Sequence, residues 1–189
     1  MFESEWVERA RQGDDAAWED LMRGHQEAVF RLAYLMLGSA ADAEDVAQET
    51  FIRAYRYLPH YDPARPWRPW LLGIAANLAR NRRRSFGRYW FHLKRLARLD
   101  VEASIDPENA VSEQHSAQVL WDAVRRLSSS DQEVIYLRYF LELSIDETAA
   151  TLNIAPGTVK SRLSRALGRL RGVVQQEYPL LWQERNAHE

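Results

Sequence analysis

Ser144-Ile145-Asp146-Glu147-Thr148-Ala149-Ala150-Thr151-Leu152, then Asn153-Ile154-Ala155-Pro156-Gly157, then Thr158-Val159-Lys160-Ser161-Arg162-Leu163-Ser164-Arg165-Ala166 reads as a short helix, a turn and a longer helix. Ser144 and Glu147 have the spacing of a capping box, which satisfies two orphan amides at a helix start. Ala149 is small where two helices must approach closely. Asn153 stands where the chain needs a left-handed residue, a conformation Asn tolerates better than most. Val159, Leu163, Ala166, Leu167 and Leu170 recur at three- and four-residue steps and predict the buried stripe of the second helix. Lys160, Ser161, Ser164 and Arg165 fall on the opposite face, flanked by Arg162 and Arg169. Thr158, Lys160 and Ser161 lie at its N-terminal end, where free amides and the helix dipole favour phosphate. Lysine and arginine reach guanine edges, and serine and threonine donate or accept as needed. The pattern predicts a helix-turn-helix that reads duplex DNA. By itself it serves a repressor as well as a polymerase subunit.

Working outward, this unit begins near 117. Val119, Leu120, Ala123, Val124 and Leu127 form one apolar stripe. Ser129-Ser130-Asp131-Gln132 has capping-box spacing before a helix carrying Val134, Ile135, Leu137 and Tyr139. At the other end of the chain, residues 14–37 repeat Leu21, Met22, Val29, Leu32, Ala33 and Met36 with helical period, and Gly38-Ser39 stops them. The next helix opens on Asp42, Glu44 and Asp45 and sets Val46, Ala47, Thr50, Phe51, Ala54 and Leu58 on one face. Pro59, Pro63, Pro66 and Pro69 break the period across a loop. A third helix is predicted from about 70 to 84, with Leu71, Ile74, Ala75 and Leu78 inward. No run alternates as a strand would. The expected class is all-α: two small helical domains, 1–84 and 117–176, joined by a flexible linker, 85–116, with a tail at 177–189.

Of the 189 residues, 46% are hydrophobic, enough for two small cores. There are no cysteines, so disulfides and Cys-based zinc sites are excluded. The five histidines are scattered, and no Gly-rich phosphate loop or nucleophile motif appears, so neither a catalytic residue, a metal site nor a cofactor is expected. The first residues are acidic without an apolar h-region, and no stretch approaches the ~18 apolar residues of a spanning helix. The expectation is a cytoplasmic protein that does not insert into membranes. Net charge is only −2, but it is segregated. Residues 1–50 carry four Lys/Arg against twelve Asp/Glu, and residues 51–99 carry twelve against one. Between 77 and 98 there are eight basic residues and no acid. Such a run repels itself unless an anion relieves it, which points to nucleic acid.

Two further blocks matter. One is Asp42-Ala43-Glu44-Asp45-Val46-Ala47-Gln48-Glu49-Thr50-Phe51-Ile52-Arg53-Ala54-Tyr55 and the other Trp70-Leu71-Leu72-Gly73-Ile74-Ala75-Ala76-Asn77-Leu78-Ala79-Arg80-Asn81. Both resemble the second conserved region of the extracytoplasmic-function group of the sigma-70 family. Leu143 to Ala149 and Gly157 to Ala166 resemble its fourth region. The resemblance implies a non-enzymatic subunit that directs RNA polymerase to promoters. It implies that Asp42, Asp45, Gln48, Glu49 and Arg53 bind the clamp coiled coil of core polymerase. It also implies that the Pro-rich loop and the helix after it read the minus-ten element. There Tyr61, Arg65, Trp67, Arg68, Asn77, Arg80 and Arg84 offer stacking surface, polar pocket and cations for an unstacked strand. Asn77 is the candidate for direct base contact, and the arginines for phosphate. The minus-thirty-five element would fall to Thr158, Lys160, Ser161, Arg162, Ser164 and Arg165. The acidic stretch 100–113 would enter the polymerase cleft, or serve as a solvated tether. An anti-sigma factor is an implied partner. The rival reading is a free-standing helix-turn-helix regulator that binds a duplex operator without polymerase.

Overall fold

The computed structural model describes the backbone of residues 2–97 and 112–177, and side chains over 3–85 and 119–176. Among these residues all regular structure is helical. Helices α1 (Phe2–Arg11), α2 (Asp15–Leu37), α3 (Ala40–Tyr57) and α4 (Trp67–Ala97) make an N-terminal unit. Helices α5 (Ser112–Arg125), α6 (Ser129–Ile135), α7 (Ile145–Leu152) and α8 (Pro156–Glu177) make a C-terminal one. The all-α, two-unit expectation holds.

Local chemistry sets the boundaries. Asp14 caps α2 by accepting from the amides of Ala16 and Ala17 at 3.0 and 3.1 Å, and Gly38 ends it at φ 72°. Ser39 caps α3 by accepting from the Asp42 amide. Inside, Leu21, Val29, Leu32, Val46, Leu58, Leu71 and Leu72 are nearly inaccessible, so α2, α3 and α4 bury one common face. Thr50 sits in this core because its hydroxyl donates to the Val46 carbonyl at 2.7 Å and leaves no polar group unpaired.

Three sequence expectations are corrected. The third helix starts at Trp67, not near 70, and runs past 84 to Ala97. Pro69 lies in its first turn, where the missing amide costs nothing, and the basic-aromatic run that follows contains no helix breaker except one glycine. Half of the expected linker is therefore helical, and residues 98–111 lie outside the described residues, as do 178–189 and the side chains of Tyr89, Trp90 and Phe91. Secondly, the cap of α6 is Ser128, whose hydroxyl accepts from the Asp131 amide at 3.3 Å. Gln132 turns back and donates to the carbonyls of Arg125 and Leu127, tying α6 to the end of α5. Thirdly, α6 does not continue as an α-helix. It widens into a π-turn over Tyr136–Phe140, which buries Tyr136 and Leu137 and swings Tyr139 outward, 57% exposed. Leu120 and Leu167, expected inward, are also exposed.

The Ser144 capping box is present in full: Ser144 accepts from the Glu147 amide at 3.1 Å, and Glu147 accepts from the Ser144 amide at 2.7 Å. That second bond holds the Glu147 carboxyl below the ordinary carboxylate range. A lowered folded-state pKa contributes stability above the unfolded value and loses it as pH falls through the folded one. Replacing Ser144 by Ala is expected to cost about 1 kcal/mol. The measurement is denaturant unfolding at neutral pH; the backbone bond from residue 144 to Glu147 survives this substitution, and its contribution is lost separately as pH falls through the lowered folded-state pKa.

Candidate nucleic-acid interface

The helix-turn-helix is built as its residues dictate. Asn153 ends α7 in the left-handed region at φ 53°, ψ 50°. Ala149 is 5% exposed, and Thr148 and Thr151 are buried because their hydroxyls donate to the Ser144 and Glu147 carbonyls. On α8, Val159 and Ala166 are fully buried, which turns Lys160, Ser161, Ser164 and Arg165 to solvent. Thr158 lies half-buried beside them. The α8 start is organised internally: Ser161 donates to the Thr158 carbonyl and Arg165 to the Ser161 carbonyl. Arg162 is apart from this set. It is half-buried and close enough to Glu133 of α6 to act on its carboxyl, so it flanks the exposed face. Arg169 pairs with Asp131, a buried carboxylate at the start of α6, fixing α8 across α6.

In the N-terminal unit the minus-ten candidates divide into two groups. Asn77, Arg65 and Arg84 are exposed, and Arg80 is half-buried with its Nε donating to the Ala76 carbonyl. Tyr61 and Trp67, by contrast, are only 5% and 2% exposed. Trp67 packs edge-on against Trp18 and Tyr61 and beside Trp70, with ring centroids 4.9–6.4 Å apart. The Tyr61 hydroxyl donates to the Arg65 carbonyl, and burial pushes its pKa up to about 12. These two rings are the floor under the loop, and the exposed side chains stand on it. Arg68 reaches across to the other unit, donating to the Leu141 carbonyl at 3.0 Å.

The α3 candidates also separate. Gln48, Asp45 and Arg53 are exposed, and Arg53 pairs with Glu49 at 2.7 Å one turn back. Asp42 instead faces α4. Arg82 donates to it through Nε and a terminal nitrogen at 2.9 and 2.7 Å, and also reaches Asp45 at 2.7 Å. These bonds hold the Arg82 guanidinium above its ordinary pKa. Sequence reasoning missed Arg82 because its partners lie 37 and 40 residues away, and no local spacing announces such a pair. It also missed Glu133, a 6% exposed carboxylate near Arg80 and Arg83 at 3.6 and 3.9 Å. The only sequence signal was an acid immediately before the apolar Val134-Ile135. Among the described residues no group of three or more His, Cys, Asp or Glu could hold a metal ion.

Known proteins align with both units. Residues 21–89 match the family described as Sigma-70 region 2, and residues 117–170 that described as Sigma-70, region 4. The ECF RNA polymerase sigma factor SigW of Bacillus subtilis is 32% identical over 173 residues, which covers 87% of this chain and 92% of SigW. The sigma factor RpoE of Bartonella quintana, solved with the anti-sigma factor NepR, superposes with a TM-score of 0.65 at 25% identity, covering 84% of this chain and 97% of RpoE. CnrH, solved with the cytosolic domain of CnrY, superposes at 0.70 over 94% of this chain and 99% of CnrH. At 24% identity, that likeness speaks to the fold.

Proposed function

Since this chain belongs to the extracytoplasmic-function sigma factors of the sigma-70 family, we propose that it divides promoter recognition between its two units, with α8 reading intact duplex and α4 capturing an opened strand. The presence of both regions, in order, distinguishes it from a free-standing regulator, which would carry the helix-turn-helix alone. Promoter opening requires no bond chemistry, only a surface that binds unstacked bases better than paired ones, so the chain acts as a subunit and not as an enzyme. Its place of action is the cytoplasm, beside polymerase. No helix among the described residues is long and apolar enough to cross a membrane.

The observation that carries the division is the exposure pattern. Lys160, Ser161, Ser164 and Arg165 project from a helix anchored by Val159 and Ala166, a geometry that suits the major groove. Asn77, Arg80 and Arg84 lie three to four residues apart on α4, so they form one polar, cationic stripe. Asn77 would meet a base and the arginines the backbone. Asp45, Gln48, Glu49 and Arg53 are the residues assigned to core polymerase, and Asp42 supports them through Arg82. An anti-sigma factor is the proposed regulator, on the likeness to RpoE, whose structure was solved with one.

The two roles part in a transcription assay with core enzyme. Lys160→Ala with Arg165→Ala should lower initiation by about thirtyfold or more, from roughly 1–3 kcal/mol for each of two base-edge contacts. Fusing a strong upstream contact should restore it. Asn77→Ala should instead impair opening, and a template already melted over the minus-ten element should rescue it. Equal rescue of both variants by premelted DNA would refute the division.

A further inference from the structure

A cavity of about 410 Å³ lies between the last turn of α2 and the corner joining α5 to α6, with Arg83 of α4 in its wall. That is a size in which proteins hold small molecules. Its charge is one-sided. Arg83 and Arg125 both line it, and no lining residue is acidic. Neither guanidinium is hydrogen-bonded to a carboxylate among the described residues. Arg125 is exposed and forms no ion pair there. Arg83 lies 3.9 Å from Glu133, whose same oxygen also faces Arg80 at 3.6 Å. Two cations that share a space without a counter-charge favour the entry of an anion.

The same walls offer flat rings. Tyr34, 43% exposed, stacks on Phe30 with ring centroids 6.1 Å apart and planes 12° apart. Trp121, from the other unit, rests on Tyr136 and Phe140 with centroids 5.8 Å apart in each case. Both rings are thus held by protein and border the cavity. Gln132 adds a polar edge. Its amide nitrogen donates to the carbonyls of Arg125 and Leu127, which leaves its oxygen to accept. The Tyr136 hydroxyl reaches that oxygen only at a long 3.5 Å.

We propose that this cavity is a binding site for a nucleoside diphosphate, with its phosphates on Arg83 and Arg125, its base against the Tyr34 and Trp121 rings, and the Gln132 oxygen accepting from the base. Guanidinium groups match phosphate oxygens in charge and geometry. Any base can stack on an aromatic face. A bare anion would leave the rings unused, and an apolar ligand would bury two guanidinium groups without partners. A molecule with both parts is the one the walls fit. Because α2 belongs to one unit and α5 and α6 to the other, the bound nucleotide would also hold the units together and stabilise the chain.

Calorimetric titration of the full-length chain with ADP and with GDP tests this, beside inorganic pyrophosphate and adenosine as partial ligands. Saturable one-to-one binding of a diphosphate is expected, with a melting temperature that climbs with ligand concentration. Arg125→Gln should weaken binding by about ten- to a hundredfold through loss of one charged hydrogen-bonding partner. Tyr34→Ala should weaken it by about tenfold through loss of a stacking face. Both positions are exposed, so both variants should keep the fold. Arg31→Gln removes an exposed charge of α2 outside the cavity and should leave affinity unchanged. Pyrophosphate and adenosine should each bind more weakly than the diphosphate by about tenfold or more. Failure of both ADP and GDP to bind at millimolar concentration overturns the site. Equal weakening by Arg31→Gln would reduce the binding to overall charge, and pyrophosphate binding as tightly as ADP and GDP would remove the rings from it. Either result overturns the proposal.

Discussion

Reversing Asp45 and Glu49 together to lysine should lower affinity for core polymerase by about a hundredfold or more, while loss of the exposed Arg82–Asp45 and Arg53–Glu49 pairs costs only about 1 kcal/mol or less each in stability. Both carboxylates stand on the outer face of α3, their side chains 59% and 41% exposed. Exposed substitutions usually change stability by less than ~0.5 kcal/mol. Like charges brought together at an interface, however, cost several kcal/mol. Asp42 provides the contrast. Its side chain is only 22% exposed and bonded twice by Arg82, so Asp42→Ala should act first on the α3–α4 junction and lower thermal stability. Titrating labelled core with each variant, next to a melting curve, separates the two effects. If Asp45 and Glu49 reversal melts the protein as Asp42→Ala does, the outer face of α3 is structural and not a docking surface.

Trp67→Ala is the second large effect, expected to destabilise the N-terminal unit by about 3–5 kcal/mol. Trp67 is 2% exposed, and its ring is held against Trp18, Tyr61 and Trp70, so truncation leaves a large cavity under the minus-ten loop. Its indole Nε1 is buried without a hydrogen-bond partner, an arrangement that itself costs free energy. Trp67→Phe removes that donor and keeps most of the apolar ring, so it should be much milder. If Trp67 is the floor of the site, transcription and stability should fall together for Ala and largely recover together for Phe. A Phe variant that folds normally yet cannot open promoters would return Trp67 to the DNA.

What the chain reveals before it folds depends on the range of the interaction. Helix caps and stripes are local, so Ser144 with Glu147, Asn153, and the Val159–Leu163–Ala166 repeat announced the helix-turn-helix correctly. Surface charge is nearly as legible, since an exposed lysine has no need of a distant partner. The aromatics are less legible for the opposite reason. Tyr61 and Trp67 belong to a Pro-rich stretch that looks exposed in sequence, and their burial comes from ring contacts with Trp18 and Trp70 that only the tertiary fold makes. The end of α4 was placed too early because the amphipathic period fades after 84, while helix propensity does not. Arg82 with Asp42 and Glu133 with Arg80 join residues 40 and 53 positions apart, and only the tertiary fold brings them together.

Both units matter only if they act through polymerase, and one measurement bears on that directly. Core enzyme would be supplied with the full-length chain and a fragmented bacterial genome, and transcript starts mapped with and without it. The account predicts a discrete set of new starts that share two short elements, spaced for simultaneous contact by α4 and α8 and absent with core alone. No specific start, or specific operator binding that needs no polymerase, would contradict it.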